Sequence, residues 1–273
     1  MNKVADLHIH THFSDSTFSP HEVVLEAHKH GLNCIAITDH DTIDGIHPTR
    51  MFADQYGIEV ISGVELSSEI NNKDVHILGY CFDFENGPLL DQLKSMQQTR
   101  IERMKTMIEK LKELGINNIE FGEISALAKS DSLGRPHLAS IMLQKGWVKN
   151  IREAFDKYLK EGAPAYVRKF KLSPQEAIAM INNAGGVAVL AHPMFTQVDE
   201  LIPEFVRSGM RGLEVIYPNV SENVMNFYAQ QAKKHHLVVT GGSDAHGEVK
   251  VHTYIGKVKI PYTNVQQLKD MAK

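Results

Sequence analysis

One repeated ending restricts what this chain can fold into: six times a short apolar run stops at histidine, aspartate or glutamate. In Asp6-Leu7-His8-Ile9-His10 the polar residues stand at i, i+2 and i+4. In a strand they share one face, while Leu7 and Ile9 take the other. Ile35–Thr38 runs into Asp39-His40-Asp41, Val60–Val64 into Glu65 and Val75 into His76. Val187–Ala191 runs into His192-Pro193, and Val238–Gly242 into Ser243-Asp244-Ala245-His246. Barrel enzymes assemble their sites where strands give way to loops, and the amphipathic stretches between the runs suit βα units. The expected strands are Val4–His10, Cys34–Thr38, Glu59–Val64, Val75–Tyr80, Val187–Ala191, Leu213–Ile216 and Leu237–Thr240.

Helix boundaries are legible between them. Ser19-Pro20 and Ser173-Pro174 each set an N-cap serine before a first-turn proline, with Glu22 and Glu176 placed to favour the helix dipole. Gly31 and Gly185-Gly186 are the corresponding stops. From about residue 86 to residue 171 the strand signal vanishes. Helices are expected there over Leu89–Leu114 (ended by Gly115), Gly122–Lys129, Pro136–Lys145 and Ile151–Leu159. This divides the chain into a core of residues 1–85 and 172–273 and a helical insert of residues 86–171. The insert holds 16 Lys and Arg against 10 Asp and Glu, a net +6, and the remainder 13 against 23, a net −10. A basic insert on an acidic core points to an anionic ligand.

Composition excludes several classes. No apolar run approaches the roughly 20 residues that span a bilayer, and Met1–Ala5 carries no basic stretch leading into an apolar leader core. Cys34 and Cys81 form no C-x-x-C pair or disulfide framework, which suits a reducing compartment. The expectation is a cytoplasmic protein with no membrane contact and no evident obligate protein partner. Fifteen histidines among 273 residues are an excess, and the strand-end positions account for much of it. Imidazoles and carboxylates without thiolates suit Mn²⁺, Zn²⁺ or Fe²⁺. Nine candidate ligands (His8, His10, Asp15, His40, Glu65, His76, His192, Asp244 and His246) exceed the needs of one ion, so two or three metals sharing a bridging carboxylate are expected.

The segments DLHIHTHFSD (6–15), ITDHDT (37–42), GVELSS (63–68), LAHP (190–193) and GSDAH (242–246) resemble, in order and spacing, the motifs of the polymerase and histidinol phosphatase (PHP) family. That resemblance implies an α/β fold, a distorted (β/α)7-type barrel with a helical insertion serving as lid or substrate-binding subdomain. The insert and Gly134-Arg135-Pro136-His137 resemble the branch of nucleoside 3′,5′-bisphosphate phosphatases and 5′-to-3′ exoribonucleases. Carried over, the ligands would be His8, His10, Glu65 and Asp244 for one metal, Glu65, His76 and His192 for a second, and Asp15, His40 and His246 for a third. Asp6, Asp39 and Asp41 would orient ligand imidazoles. Arg135 and His137 would grip phosphate, the arginine through its planar fork.

The implied activity is removal of the 3′-phosphate of a nucleoside 3′,5′-bisphosphate, and cleavage of short RNA from its 5′ end, by attack of metal-activated water on phosphorus. Two alternatives stay open: a histidinol phosphatase-like phosphomonoesterase, and a non-catalytic polymerase-associated module. The other eight histidines (His12, His21, His28, His30, His47, His235, His236 and His252) read as ordinary surface or helix residues.

Overall fold

The computed structural model describes residues 3–128, 132–168, 171–250 and 252–272. Among these residues nine strands form two sheets. Strands β1 (Val4–Ile9), β2 (Cys34–Ile37), β3 (Glu59–Ile61), β4 (Gly63–Ile70) and β5 (Lys73–Tyr80) precede the insert. Strands β6 (Val187–Leu190), β7 (Gly212–Ile216), β8 (Val238–Gly241) and β9 (Ile260–Pro261) follow it. The first sheet has the order β3-β2-β1-β9 and the second β4-β5-β6-β7-β8. Burial explains the apolar runs: Leu7, Ile9, Ile35, Ile37 and Val187–Leu190 are all enclosed.

Three features differ from the expected succession of parallel βα units. The expected strand Glu59–Val64 breaks at Ser62, and its second half continues to Ile70 as one arm of a hairpin. Asn71 and Asn72 make the hairpin turn, both at positive φ (52° and 61°), the geometry that matches strand twist in a two-residue loop. Strand β5 therefore runs antiparallel to both β4 and β6, and β9 antiparallel to β1. Finally, the expected (β/α)7 barrel does not close as one sheet among the described residues. The two sheets meet instead through single bridges, Ile9 with Ala245 and His40 with Glu65. Backbone hydrogen bonds reinforce both seams: Asp244 N–H to His8 O (2.7 Å) and Asp41 N–H to Glu65 O (3.0 Å). Close approach at the first seam requires Gly242, where an added Cβ would lie 2.3 Å from the His8 backbone nitrogen.

Helices α1 (Pro20–Lys29) and α2 (Ile46–Ala53) cover the first sheet's crossovers. Ser19 closes a capping box with Glu22. The insert begins with the 27-residue α3 (Gly87–Glu113), which is capped by Asn86 and stops just before Gly115, a residue with a φ of 87°. It continues as α4 (Phe121–Ala128), α5 (Arg135–Gln144) and α6 (Ile151–Ala154), the last running into a single π-turn over Phe155–Leu159. Lys129, the expected end of the second insert helix, lies outside the described residues. Met104, Met107 and Leu111 of α3 pack with Ile124, Leu138, Met142 and Leu159 in a core separate from that under the sheets. Return to the second sheet is through α7 (Pro174–Asn183), whose Ser173–Glu176 capping box matches the sequence signal. The chain then adds α8 (Pro193–Thr196), α9 (Ile202–Arg207), α10 (Glu222–Lys234) and α11 (Tyr262–Met271). Among the described residues no helix is long and apolar enough to cross a membrane.

Candidate metal centre

Glu65 is the hub. It is buried on β4, and its two oxygens are shared among five imidazoles. Oε2 lies 3.3 Å from His8 Nε2, 3.2 Å from His10 Nε2 and 3.2 Å from His40 Nδ1. Oε1 lies 2.8 Å from His76 Nδ1 and 3.0 Å from His192 Nε2. Asp244 Oδ1 stands 3.2 Å from His10 Nε2 and 3.4 Å from His246 Nδ1. Asp15 closes the far side, with Oδ1 3.2 Å from His246 Nε2 and Oδ2 3.8 Å from His40 Nε2. The fold thus brings all nine candidate residues together.

The strand directions explain how. His8 on β1 and His10 one residue past its end face the same way by their spacing of two. His76 is not at a strand's C-terminal end; it sits near the start of β5. Because β5 runs backwards, its start meets the ends of β4 and β6, where Ser67 pairs with His76 and His76 O accepts from Ala191 N–H. His192 and Asp244 both hold positive φ, 26° and 48°, conformations non-glycine residues rarely take and which concentrate at functional sites.

Three groups bring their ligand atoms within 4.8 Å of one another: His8-His10-Glu65, His40-Glu65-His76, and His10-Asp15-His40-His246. The grouping departs from the family-derived partition at His10 and His40, each of which belongs to two sets. The residues fit divalent ions on two counts. His8 Nε2 and His10 Nε2 face each other at 3.1 Å, and among the described residues Asp15 Oδ1, His40 Nδ1 and His192 Nδ1 are buried with no well-directed hydrogen bond, whatever charged neighbours stand near them. Buried polar atoms are almost always satisfied, so lone pairs aimed at one another mark a place for cations.

The electrostatics agree. Burial opposes charge on His8, yet Glu214, Glu65 and Asp244 hold its imidazole well above the ordinary range. Against the same burial, Asp244 and Glu65 raise His10 to about 9. His40 moves the other way, to about 3, because burial outweighs Glu65 and Asp15. Burial should raise the carboxylates of Asp15, Glu65 and Asp244, but the surrounding imidazoles hold all three well below their usual range.

The three aspartates expected to orient imidazoles do something else, because their oxygens are taken by other donors. Asp6 accepts the backbone N–H groups of Ser243 (2.8 Å) and Gly256 (3.0 Å), and burial pushes its carboxyl up to about 6. Asp39 accepts from Thr11 N–H and from the hydroxyls of Thr11 and Ser14, shaping the first loop. Asp41 accepts from Ser67 N–H and pairs with the Arg100 guanidinium of α3.

A residue that does hold a candidate ligand in place is Glu214. It is fully buried on β7, with Oε1 2.9 Å from His8 Nδ1 and Oε2 accepting the His192 N–H at 2.8 Å. It puts the His8 proton on Nδ1 and leaves Nε2 free for a cation. The available signal was a carboxylate inside the apolar run Leu213–Ile216. Tyr217 and Lys250 were likewise not singled out; Tyr217 donates to Asp244 Oδ2, as does Lys250 at 2.7 Å.

A cavity of 380 Å³ opens beside the centre, walled by Asp15, His40 and His76 on one side and by Arg103, Arg135 and Tyr166 of the insert on the other. Arg135 packs against the rings of Phe155 and Tyr166 and donates to Leu159 O. Arg103 is lowered to about 10, by burial and by repulsion from Arg135 and Arg100. Among the described residues neither Arg103 nor Arg135 is in an ion pair. His137 does not line this cavity itself, but its ring lies near Asp15 of the wall and the Ser14 backbone. Its Nδ1 accepts the Gly134 N–H at 3.1 Å, capping its own helix, and burial lowers its pKa.

Comparison with known proteins agrees with this geometry. The chain is 36% identical over 251 residues to a 5′-3′ exoribonuclease of Haemophilus influenzae, covering 90% of this chain and 91% of that protein. It is 34% identical to a 3′,5′-nucleoside bisphosphate phosphatase of Chromobacterium violaceum, covering 88% and 86%. A provisionally named metal-dependent phosphoesterase from Bifidobacterium adolescentis superposes with a TM-score of 0.89 at 29% identity, over 98% of this chain and 96% of that one. Residues 6–167, which carry His8, His10, Asp15, His40, Glu65 and His76, match the PHP domain, and with relatives this similar along nearly its whole length the chain belongs to the PHP domain family.

Proposed function

We propose that this protein is a metal-dependent phosphoesterase that removes the 3′-phosphate of nucleoside 3′,5′-bisphosphates and cleaves short RNA from its 5′ end. One observation carries the reading: a carboxylate ringed by five imidazoles lies beside a cavity holding Arg103 and Arg135, two arginines with no ion pair among the described residues. His8, His10, Glu65 and Asp244 would hold one ion, Glu65, His76 and His192 a second, and Asp15, His40 and His246 a third, with Mn²⁺ the favoured metal. When bound, such ions neutralise charge on phosphoryl oxygens and make water a competent nucleophile near neutral pH.

The protein's own residues do the rest. Arg103 and Arg135 bind the phosphate that is not cleaved, as fixed cations in a low-dielectric wall. Glu214 keeps His8 in the ligating tautomer, and His137 positions Arg135 by fixing the turn before α5. Residues 86–171 act as the substrate-binding subdomain. We also read the two bridged sheets as a distorted seven-stranded barrel, with β3 and β4 counted as one broken strand and the two-residue β9 left out, and the compartment as cytoplasmic.

The test is phosphate release from 3′-phosphoadenosine 5′-phosphate by the Mn²⁺-loaded protein. Turnover of histidinol phosphate in its place would overturn the assignment.

A further inference from the structure

A second cavity touches the metal centre from another side. It has a volume of 210 Å³, shares His40 and His76 with the basic cavity, and is completed by Phe195, Tyr217 and Lys250. Phe195 is the anomaly. It belongs to the short α8 that follows His192, and it is 61% exposed. Isolated exposed apolar residues are ordinary, but this ring is held: it packs edge-on to Tyr217, with centroids 5.2 Å apart and planes at 71°, and Tyr217 in turn meets His192 at 78°. An aromatic ring held at the rim of a phosphoester site, with a lysine across the cavity, has the chemistry of a stacking platform for a base next to a phosphate.

The substrate chemistry says which base. In the reading above, the 5′-phosphate of the first nucleotide lies against Arg103 and Arg135, and the phosphorus of its 3′-phosphate lies at the centre. Water adds its oxygen to phosphorus, the P–O3′ bond breaks, and a proton from that water ends on O3′. A mononucleotide bisphosphate gives a 5′-nucleotide and inorganic phosphate. In RNA the same phosphorus carries a second nucleoside through its O5′, and the identical step gives a 5′-nucleotide and a chain with a new 5′-phosphate. With the first nucleotide filling the basic cavity, the second nucleoside leaves the centre through the Phe195 cavity. We infer that Phe195 and Tyr217 form the subsite for the nucleoside on the 3′ side of the scissile phosphate, its base stacked on Phe195. This subsite is what allows one centre to accept RNA as well as a mononucleotide, and it rests on the phosphoesterase reading.

The experiment compares kcat/KM of wild type, Phe195→Ala and Phe195→Trp on two substrates, 3′-phosphoadenosine 5′-phosphate and the 5′-phosphorylated dinucleotide pApA. Stacking contributions predict a fall of roughly 5- to 150-fold for Phe195→Ala on pApA. The same variant should stay within about twofold of wild type on the bisphosphate, and Phe195→Trp should retain activity on both. Equal losses on both substrates, no loss on either, or a wild type that hydrolyses the bisphosphate and not pApA would each overturn the subsite. A wild type inactive on both would instead overturn the phosphoesterase reading, and the subsite with it.

Discussion

Replacing Glu214 with glutamine keeps size and burial but changes who can donate. Both carboxylate oxygens now accept, one from His8 Nδ1 and the other from the His192 backbone N–H. A glutamine has one oxygen and one NH₂. The backbone N–H of His192 cannot change character, so the oxygen turns toward it and the NH₂ faces His8 Nδ1. That ring must then accept at Nδ1 and carry its proton on Nε2, the atom that lies 3.3 Å from Glu65 and 3.1 Å from His10. A cation at this position has to displace that proton. Loss of such a supporting hydrogen bond costs about 10- to 100-fold in metal affinity, or about 1.4–2.7 kcal/mol. Competition against a fluorescent chelator at fixed pH would measure it, with circular dichroism confirming that the variant is folded. Affinity for every bound Mn²⁺ within about twofold of wild type would refute the argument that Glu214 sets the tautomer of a ligand.

Arg100→Met removes the guanidinium paired with the buried Asp41 carboxylate and should cost up to about 3–5 kcal/mol, lowering the melting temperature by up to about 6–20 °C. Combining it with Asp41→Asn should cost less than the two single changes together, and strict additivity would show the pair to be uncoupled. Arg103→Met should raise KM for the bisphosphate far more than for a 3′-nucleotide lacking the 5′-phosphate; equal changes would place Arg103 elsewhere. Saturating Mn²⁺ should raise the melting temperature, by about 2.7 kcal/mol of stability at 100 times the dissociation constant, and a chelator should reverse it. Burial pushes the Cys81 thiol up to about 11, so only about one in a thousand is thiolate at pH 8, and alkylation by iodoacetamide should accelerate about tenfold per pH unit up to that value. A rate that levels off near pH 9, the ordinary thiol value, would contradict the burial.

How much of this was readable beforehand follows from what each pattern encodes. The capping boxes at Ser19 and Ser173 are local chemistry, and the helices start where they say. Period-two alternation placed His8 and His10 on one face because that rule depends only on strand geometry. Alternation carries no sign of direction, however, and so the reversal of β5, which brings the early residue His76 to the site, was invisible. The two-residue β9 is too short to leave a pattern. Glu214 was passed over because it stands inside an apolar strand rather than at its end. Arg100 and Arg103 look in sequence like any cation on an amphipathic helix; only the tertiary contact with Asp41 and the shared wall with Arg135 set them apart. Asp6, Asp39 and Asp41 read in sequence as partners of ligand imidazoles, and that expectation fails because the donors they accept from are brought to them from distant parts of the chain.

The attachment of the insert carries a mechanical consequence. On the outgoing side, Gln97 donates to Asp41 O and Arg100 clasps the Asp41 side chain. On the returning side, Leu172 bridges Ser68 and accepts the Glu69 N–H, on the same strand that carries Glu65. Both stems are therefore fastened beside the hub, one through Asp41, whose N–H donates to Glu65 O, and the other through Ser68 and Glu69 on the strand of Glu65. Swinging the insert about these stems would break hydrogen bonds next to Glu65. Under the function proposed above, arginines anchored in this way would stand at a set span from the bound ions, and the separation between the two phosphates of a substrate would become a length the protein measures.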